Sequence, residues 1–266
     1  MLVENNKTKV EDQRFDSDET NVKFKNYLFV RLVAKDKTFK NVDFSYSTFD
    51  TAYIRNCKFD SCNFTGCRFI SSNFHGSIFT GSNFNYAIFE RTQIDNNILE
   101  TECPGLENLK QKFARTLRMN FAQIGDPESV NKAILIELDA TEMHLLKVWN
   151  SKEAYYRKKY RGFDRFLGLI KWLNFKIWDY VWGHGEKPYK LAIITLVFLI
   201  IVAFIEWLSL ESMTSENLKD SFFKSPQLFL GTVKGVEGLW YTFIQFIRYV
   251  VFALMMSVLV RRLSRR

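Results

Sequence analysis

Three cysteines occur at intervals of five residues, at Cys57, Cys62 and Cys67. Cysteine thiolates bind soft metal ions, and structural zinc sites usually combine closely spaced Cys pairs with further Cys or His ligands. This segment has neither a paired CxxC spacing nor an adjacent histidine. We therefore assign the cysteines to the interior of a repeat, and we expect no metal and no cofactor.

Other residues that could carry catalysis are sparse. The three histidines lie in separate segments, and the sequence has no Ser-His-Asp or Cys-His arrangement, no phosphate-binding glycine loop and no carboxylate cluster. The sequence therefore predicts that the protein is not an enzyme and has no catalytic, cofactor-binding or metal-binding residues.

Polar residues within two long apolar stretches are the remaining candidates. The first stretch has no charge between Lys190 and Glu206, and the second, residues 238–260, has one, Arg248. Each is long enough to cross a bilayer. A mid-membrane arginine costs roughly 3 kcal/mol, so it is usually paired or faces water. Either Arg248 pairs with Glu206 of its own chain or of a neighbouring copy, or reaches a lipid headgroup, or it forms a ring in an oligomeric pore, on the same helical face as Gln245, that opposes cations and favours anions.

The N-terminal part of the chain carries a five-residue period. Apolar residues occupy every fifth position from Phe39 to Leu99, and the residues two positions earlier are small from Ala52 to Ala87. A helix or a flat strand would distribute these large side chains over several faces. The period instead predicts a solenoid that turns a corner about once every five residues. The predicted core of its central repeats is Phe59, Phe64, Phe69, Phe74 and Phe79.

The segments "SCNFTG", "SSNFHG" and "GSNFNY" resemble the pentapeptide-repeat family. That resemblance implies a right-handed, four-sided β-helix with one repeat on each face. Pro104 and Gly105 end the repeat, and apolar residues then recur at helical spacing. The solenoid is thus expected to be followed by a helical hairpin over its open end.

The predicted fold is a multidomain membrane protein. Its expected parts are a polar N-terminal tail and solenoid cap (residues 1–38), the solenoid (39–103), a cytoplasmic helical hairpin (104–160), an interfacial amphipathic helix (161–188), and a domain of two transmembrane helices (189–266) with an extracytoplasmic loop (211–237).

The distribution of charge predicts the membrane orientation. The net charge is +8, and residues 152–190 contain ten Lys or Arg against four acidic residues, interleaved with aromatic residues. Nucleic acid is a weaker explanation of this segment than a membrane surface, because tryptophan favours the lipid boundary. Four arginines also follow the second apolar stretch. Positive charge marks the cytoplasmic side, so both termini are predicted to be cytoplasmic in a bacterial inner membrane. The expected interface residues are Trp172, Trp178, Trp182 and Trp207.

The junction "WGHGEKP", from Trp182 to Pro188, resembles bacterial pentapeptide-repeat membrane proteins of the two-helix, potassium-channel-like class. The ending "FALMMSVLVRRLSRR" and the connector "LRMNFAQIGDPES" resemble the same class. The resemblance implies a re-entrant pore helix, a filter of Thr-Val-Gly-Tyr-Gly character and four subunits around one pore.

The sequence departs from this class at the filter. The nearest filter-like string is "GTVKGVE", which supplies the candidates Thr232, Val233, Lys234 and Gly235. It lacks the glycine-rich backbone whose carbonyls replace the hydration shell of potassium. We therefore expect a non-standard or absent filter and no potassium selectivity. The loop 211–237 still has the length for a re-entrant or interfacial helix.

Two functions remain open from the sequence. The first is an oligomeric ion channel or pore, a tetramer by resemblance, whose solenoid organises assembly or gating. The second is a membrane-anchored, non-conducting scaffold or effector, for example in bacterial defence or stress response, that binds a protein partner through the solenoid. The lipid bilayer is an expected partner in both.

Overall fold

The computed structural model describes residues 7–210, 214–233 and 238–263. The chain divides into two units, Met1–Leu169 and Ile170–Arg266. The first contains a parallel β-solenoid and the helices that follow it, and the second contains three long helices with the end of a fourth.

A left-handed backbone conformation at every fifth residue produces the solenoid. Each fifth residue from Asn26 to Arg91 has a positive φ. Glycine occupies three of these corners, at Gly66, Gly76 and Gly81, and glycine adopts this conformation without steric cost. Asparagine, which tolerates the left-handed region better than most residues, occupies others. The five-residue period is therefore a corner repeated at constant intervals.

Short parallel strands lie between the corners. They are β1 (Thr8–Glu11), β2 (Arg14–Phe15), β3 (Glu19–Thr20), β4 (Tyr27–Val30), β5 (Val33–Lys35), β6 (Thr38–Lys40), β7 (Thr48–Asp50), β8 (Tyr53–Arg55), β9 (Lys58–Asp60), β10 (Arg68–Ile70), β11 (Ile78–Thr80) and β12 (Ile88–Glu90). Three sides are the sheets β1-β4-β7-β10-β12, β3-β6-β9-β11 and β2-β5-β8. Parallel bridges joining Lys23, Asp43, Asn63 and Asn83 form the fourth side. The solenoid is thus four-sided and has about four turns.

The first turn of the solenoid begins at Thr8, within the segment that the sequence assigned to a tail and cap (residues 1–38). Val10 pairs with Phe29, an offset of 19 residues, whereas Phe39 pairs with Phe59, an offset of 20. The first turn is therefore one residue shorter than the later ones. Counting back in fives from Phe39 therefore does not identify this turn.

Phenylalanines form the core of the solenoid. Phe59, Phe64, Phe69, Phe74 and Phe79 are all buried. The ring of Phe69 stacks between the rings of Phe49 and Phe89, with centroid distances of 5.3 and 4.7 Å. Aromatic columns of this kind bury large apolar areas along the axis of the solenoid.

The small residues of the repeat occupy the interior corners. The Sγ atoms of Cys62 and Cys67 donate to the carbonyls of Phe39 (3.3 Å) and Phe44 (2.9 Å). Burial raises the pKa of Cys62 to about 11 and that of Cys67 to about 12. Both thiols are therefore protonated at neutral pH, as the structural explanation of the cysteines requires.

Helices cover the last turn. They are α1 (Ile98–Thr101), α2 (Glu107–Ile124) and α3 (Pro127–Asn150). α2 lies against β12, and its side chains pair with the strand's open edge. Thr116 Oγ1 accepts from the Phe89 N–H (3.1 Å), and Asn120 bonds both the N–H and the carbonyl of Thr92 (2.7 Å each). These side chains replace the backbone partners that a further turn would provide.

Asn120→Ala should destabilise the solenoid by about 2–5 kcal/mol, because it leaves two buried backbone groups of Thr92 without partners. Thermal unfolding of the full chain in detergent, followed by circular dichroism, measures the loss. Gln123→Ala is the matched control: Gln123 accepts from the exposed Arg91 N–H (2.9 Å), so its loss should be smaller. Equal losses for the two variants would contradict this account of the cap.

The remaining helices are α4 (Ala154–Lys159), α5 (Phe163–Trp182), α6 (Pro188–Leu208), α7 (Ser215–Leu230) and α8 (Leu239–Leu263), with a short 3₁₀ turn at Gly183–Gly185. α6 and α8 are long and apolar enough to cross a membrane. Only 22% and 11% of the residues in their apolar stretches are buried, whereas the core helix of a soluble protein would be mostly buried. The stretches are candidate membrane spans on length, composition and exposure.

Candidate functional site

α7 lies between α6 and α8 over part of their length. At the start of α7, the Thr214 carbonyl accepts a hydrogen bond (3.1 Å) from the indole Nε1 of Trp207, which lies at the end of α6. At its end, the Phe229 ring contacts Phe198 of α6 and Phe252 of α8, with centroids 6.1 and 6.3 Å apart. α7 thus runs back along α6 from the end of that helix to its middle.

The position of α7 along the two long helices can be expressed as a depth. Trp207 is nine positions after Phe198 on α6, and Arg248 is nine positions after Leu239 on α8. At 1.5 Å per residue each interval is about 14 Å, close to half of the ~30 Å hydrocarbon core of a bilayer. The end of α7 is therefore level with the middle of the candidate spans.

The side chain of Arg248, a residue of α8, lies at the C-terminal end of α7. Its Nη1 donates to the Leu230 carbonyl (2.6 Å), and its Nη2 lies 3.4 Å from Gln245 Oε1 and 3.0 Å from the Tyr249 hydroxyl. The guanidinium also lies 4.8 Å from the centre of the Tyr249 ring. A helix C-terminus carries partial negative charge and unpaired carbonyls. Arg248 supplies both a donor and a positive charge there.

Gly231 makes this approach sterically feasible. It ends α7 with a φ of +70°, and a Cβ added to it would lie 2.5 Å from Arg248 Nη1. The Gly231 N–H donates to the Leu228 carbonyl and the Thr232 N–H to the Gln227 carbonyl, which is a Schellman end. The sequence signal for it was a glycine directly after an apolar helix turn, and sequence reasoning missed it.

Glu206 is buried, but its partner differs from the one considered from the sequence. Its Oε2 lies 3.5 Å from Lys224 Nζ and 3.5 Å from the Tyr241 hydroxyl. Within the described part of the chain, the pair between Glu206 and Arg248 does not form. The reason is α7, which lies between the two helices and provides a separate partner for each charge. Lys224 and Tyr241 were not recognised in the sequence.

The filter candidates divide into two sets. Thr232 turns back to α7, because its N–H and its hydroxyl both donate to the Gln227 carbonyl (3.0 and 3.2 Å). Val233 packs against the apolar cluster of α6, α7 and α8. Lys234 and Gly235 lie outside the described residues. In the described residues, the start of the filter-like string is part of a helix end.

Of the tryptophans assigned to the membrane interface, three lie near the ends of helices, and Trp172 lies in the middle of α5. The rings of Trp178 and Trp182 meet edge to face, 6.3 Å apart, at the end of α5. Along α5, exposed apolar residues recur at helical spacing at Ile170, Leu173 and Ile177. Trp172 lies on the same helix, and Trp207 is at the end of α6. This arrangement fits an amphipathic helix joined to a membrane span.

The turn between α5 and α6 is held by an ion pair. Lys190 Nζ lies 2.7 Å from Asp179 Oδ2 and also donates to the Asp179 carbonyl (2.8 Å). Burial raises the pKa of Asp179, but the hydrogen bond from Lys190 and the positive charges of Lys190 and Lys187 together outweigh it, so the net pKa is lowered. The carboxylate is therefore charged at neutral pH, which keeps α5 and α6 joined at this turn.

Among the residues that the structure describes, no group of three or more His, Cys, Asp or Glu side chains could hold a metal ion. The candidate site in this part of the chain is the set of polar groups around α7: Glu206, Lys224, Tyr241, Gln245, Arg248 and Tyr249.

The comparisons with known proteins concern the solenoid. A family model for pentapeptide repeats matches residues 49–85 and 62–96, with eight copies. Residues 49–96 of the solenoid are therefore identified as pentapeptide repeats. They include the interior cysteines and the buried phenylalanines from Phe49 to Phe89. No curated protein matches the chain.

Some solved structures are similar to part of the chain. One is the pentapeptide repeat protein Rfr23 from the cyanobacterium Cyanothece 51142, with a TM-score of 0.32 and 14% identity over 36% of this chain and 77% of that one. Two trypsin-treated variants of QnrB1, a plasmid-mediated fluoroquinolone resistance protein, give TM-scores of 0.19 and 0.21 at 15% and 16% identity. The match covers 34% of this chain and 62% and 61% of the two QnrB1 chains.

Proposed function

We propose that the protein is a non-enzymatic, multi-pass protein of the bacterial inner membrane, and that several copies surround an ion-conducting path. α6 and α8 cross the bilayer, and α7 enters it from the outer side and ends at mid-depth. Four copies are favoured by the resemblance of the junction and the ending to the two-helix channel class.

The observation that carries the proposal is the position of α7 between α6 and α8. A helix that enters a membrane and ends halfway leaves its last carbonyls at a depth where only protein or a water-filled path can satisfy them. Arg248 satisfies the Leu230 carbonyl, and its charge favours a wet surrounding. A path lined by several copies of this region provides that surrounding.

The chemistry of the path favours anions. Each copy contributes Arg248, and Gln245 lies one turn earlier on the same helix. The filter-like string lacks the backbone of a potassium site, and Thr232 is bonded to the end of α7. Potassium selectivity therefore forms no part of the proposal. The solenoid, on the cytoplasmic side, organises assembly or gating.

A non-conducting scaffold is the second candidate, and the exposed aromatic residues of the solenoid favour it. Tyr46, Tyr53 and Tyr86 are 53%, 42% and 60% exposed. Tyrosine is enriched in protein interfaces, and a rigid solenoid presents these rings without a loss of backbone entropy. This candidate requires a protein partner and predicts no current.

The orientation can be tested with an impermeant thiol reagent on intact cells. Ser215→Cys, at the start of α7, should react, because the loop between the spans faces outward. Ile78→Cys, on the exposed solenoid surface, should react only after the cells are permeabilised. Labelling of the wild-type chain measures the background reaction of the four native cysteines. The opposite pattern of labelling would overturn the proposed topology.

Conduction can be tested by anion flux. Liposomes that contain the purified protein and a chloride-sensitive dye should take up chloride faster than dye-loaded liposomes without protein. The scaffold candidate predicts equal rates for the two preparations.

A further inference from the structure

A cavity that is open on one side lies between α6 and α8, next to Phe229. Its volume is about 560 Å³, several times the ~150 Å³ of an apolar cavity that holds benzene. α7 ends at Leu230 and therefore does not continue between the two long helices beyond this point. Its lining includes Leu191, Ala192, Thr195, Leu199, Phe252 and Met255.

The lining of this cavity suits an apolar ligand. Thr195 has the one hydroxyl in it, and that hydroxyl donates to the Leu191 carbonyl of its own helix (2.8 Å). The cavity therefore presents no unsatisfied polar group to its occupant. A hydrocarbon chain would exchange lipid surroundings for protein contacts at no cost in hydrogen bonds.

Basic residues neighbour the lining of the cavity in the sequence. Pro188 lines it at the start of α6, and the exposed Lys187 comes directly before Pro188. The Lys187 stem lies over the left-handed Gly183, where an added Cβ would be 2.6 Å from Lys187 Cβ. On α8, Leu259 lines the cavity, and two arginines follow it after one residue in the sequence.

We propose that this cavity binds one acyl chain of an anionic phospholipid whose phosphate lies at Lys187. A second copy of α8 is the competing occupant, and charge disfavours it. α8 contains no acidic residue, so a second copy would bring no negative charge to Lys187, whereas an anionic headgroup neutralises the charge of Lys187. The inference depends on the membrane insertion of α6 and α8, which belongs to the proposed function, but not on conduction.

The test uses the purified full chain in an uncharged detergent, with thermal unfolding followed by tryptophan fluorescence. Dioleoylphosphatidylglycerol should raise the unfolding temperature more than dioleoylphosphatidylcholine. Ala192→Phe fills the cavity and should weaken phosphatidylglycerol binding by at least roughly tenfold, since each buried methylene contributes to chain binding. Ile193→Phe is the matched control, because Ile193 is 54% exposed and lies outside the cavity. It should bind as the wild type does.

Lys187→Gln tests the headgroup. It should reduce the preference for phosphatidylglycerol over phosphatidylcholine about fivefold, the effect of one basic residue near an anionic lipid. An unchanged preference would contradict the assignment of the phosphate to Lys187.

A photoreactive group on the acyl chain of phosphatidylglycerol provides a measurement that requires no variant. It should label peptides that contain residues 191–199 and 251–259, and unlabelled phosphatidylglycerol should compete. Labelling confined to other peptides would overturn the inference. So would a disulfide between Thr195→Cys of one copy and Met255→Cys of another, which would identify a second copy as the occupant.

The two proposals fail in different ways. A chain that purifies in buffer without detergent would contradict the membrane insertion on which both rest. A chain that needs detergent but gains no stability from phosphatidylglycerol would contradict this inference alone.

Discussion

Replacing Phe69 with aspartate should unfold the solenoid. The Phe69 side chain is fully buried between Phe49 and Phe89. Truncation of a core phenylalanine to alanine costs about 3–5 kcal/mol, and an unpaired buried charge adds to that loss. The total approaches or exceeds the 5–15 kcal/mol that stabilises a typical domain. We expect the variant to lose its strand signal in circular dichroism and its resistance to trypsin.

The matched control for this change is Ile78→Asp. Ile78 is also on a strand of the solenoid, but its side chain points outward and is 52% exposed. The same new charge should therefore alter stability by no more than about 0.5 kcal/mol. A trypsin-resistant Phe69→Asp solenoid, or equal damage from both substitutions, would show that the phenylalanine columns are not the basis of this fold.

The second large effect is expected from Arg248→Ala. Removal of the guanidinium takes the positive charge from the end of α7 and leaves the Leu230 carbonyl without its donor. An anion-selective pore should then lose its preference, and its reversal potential should move toward that of a cation-selective pore. In a tenfold salt gradient, full selectivity for one sign of charge corresponds to about 59 mV, so a shift of a few tens of millivolts is expected.

Lys219→Ala is the control for charge. It removes one positive charge from the first half of α7 and should leave the reversal potential within a few millivolts of the wild-type value. A reversal potential that is the same in Arg248→Ala as in the wild type would contradict a role for this charge in the path.

The structure also predicts that Glu206 and Arg248 are energetically independent. Glu206 contacts Lys224 and Tyr241, and Arg248 contacts the end of α7. The double variant Glu206→Ala with Arg248→Ala should therefore show the sum of the two single effects on oligomer stability. Restoration of assembly in the double variant would instead indicate that the two charges form a pair between subunits.

The period of five predicted the core of the solenoid because the geometry of its corners is strictly local. A left-handed residue at each corner fixes the next large side chain on the axis, so counting from Phe39 gave the correct buried residues. The first turn was lost because its offset is one residue shorter. The pairing of Asn120 with Thr92 could not be predicted, because it depends on how α2 lies across the last strand.

The two long apolar helices were also evident from the sequence, since length and apolar content are sums over residues. The partners of their polar residues were not. Glu206 and Arg248 were considered as a pair on the basis of charge, but their surroundings are determined by α7. Where α7 ends, and which carbonyl its last turn leaves open, are properties of the tertiary structure.

The central claim is that copies of this chain enclose a conducting path, and single-channel recording tests it most directly. The purified wild-type chain, reconstituted in a planar bilayer with a tenfold gradient of potassium chloride, should give discrete current steps that reverse near the chloride equilibrium potential. A membrane-inserted protein that gives no discrete steps would contradict the pore, and steps that reverse near the potassium equilibrium potential would contradict the selectivity assigned to Arg248.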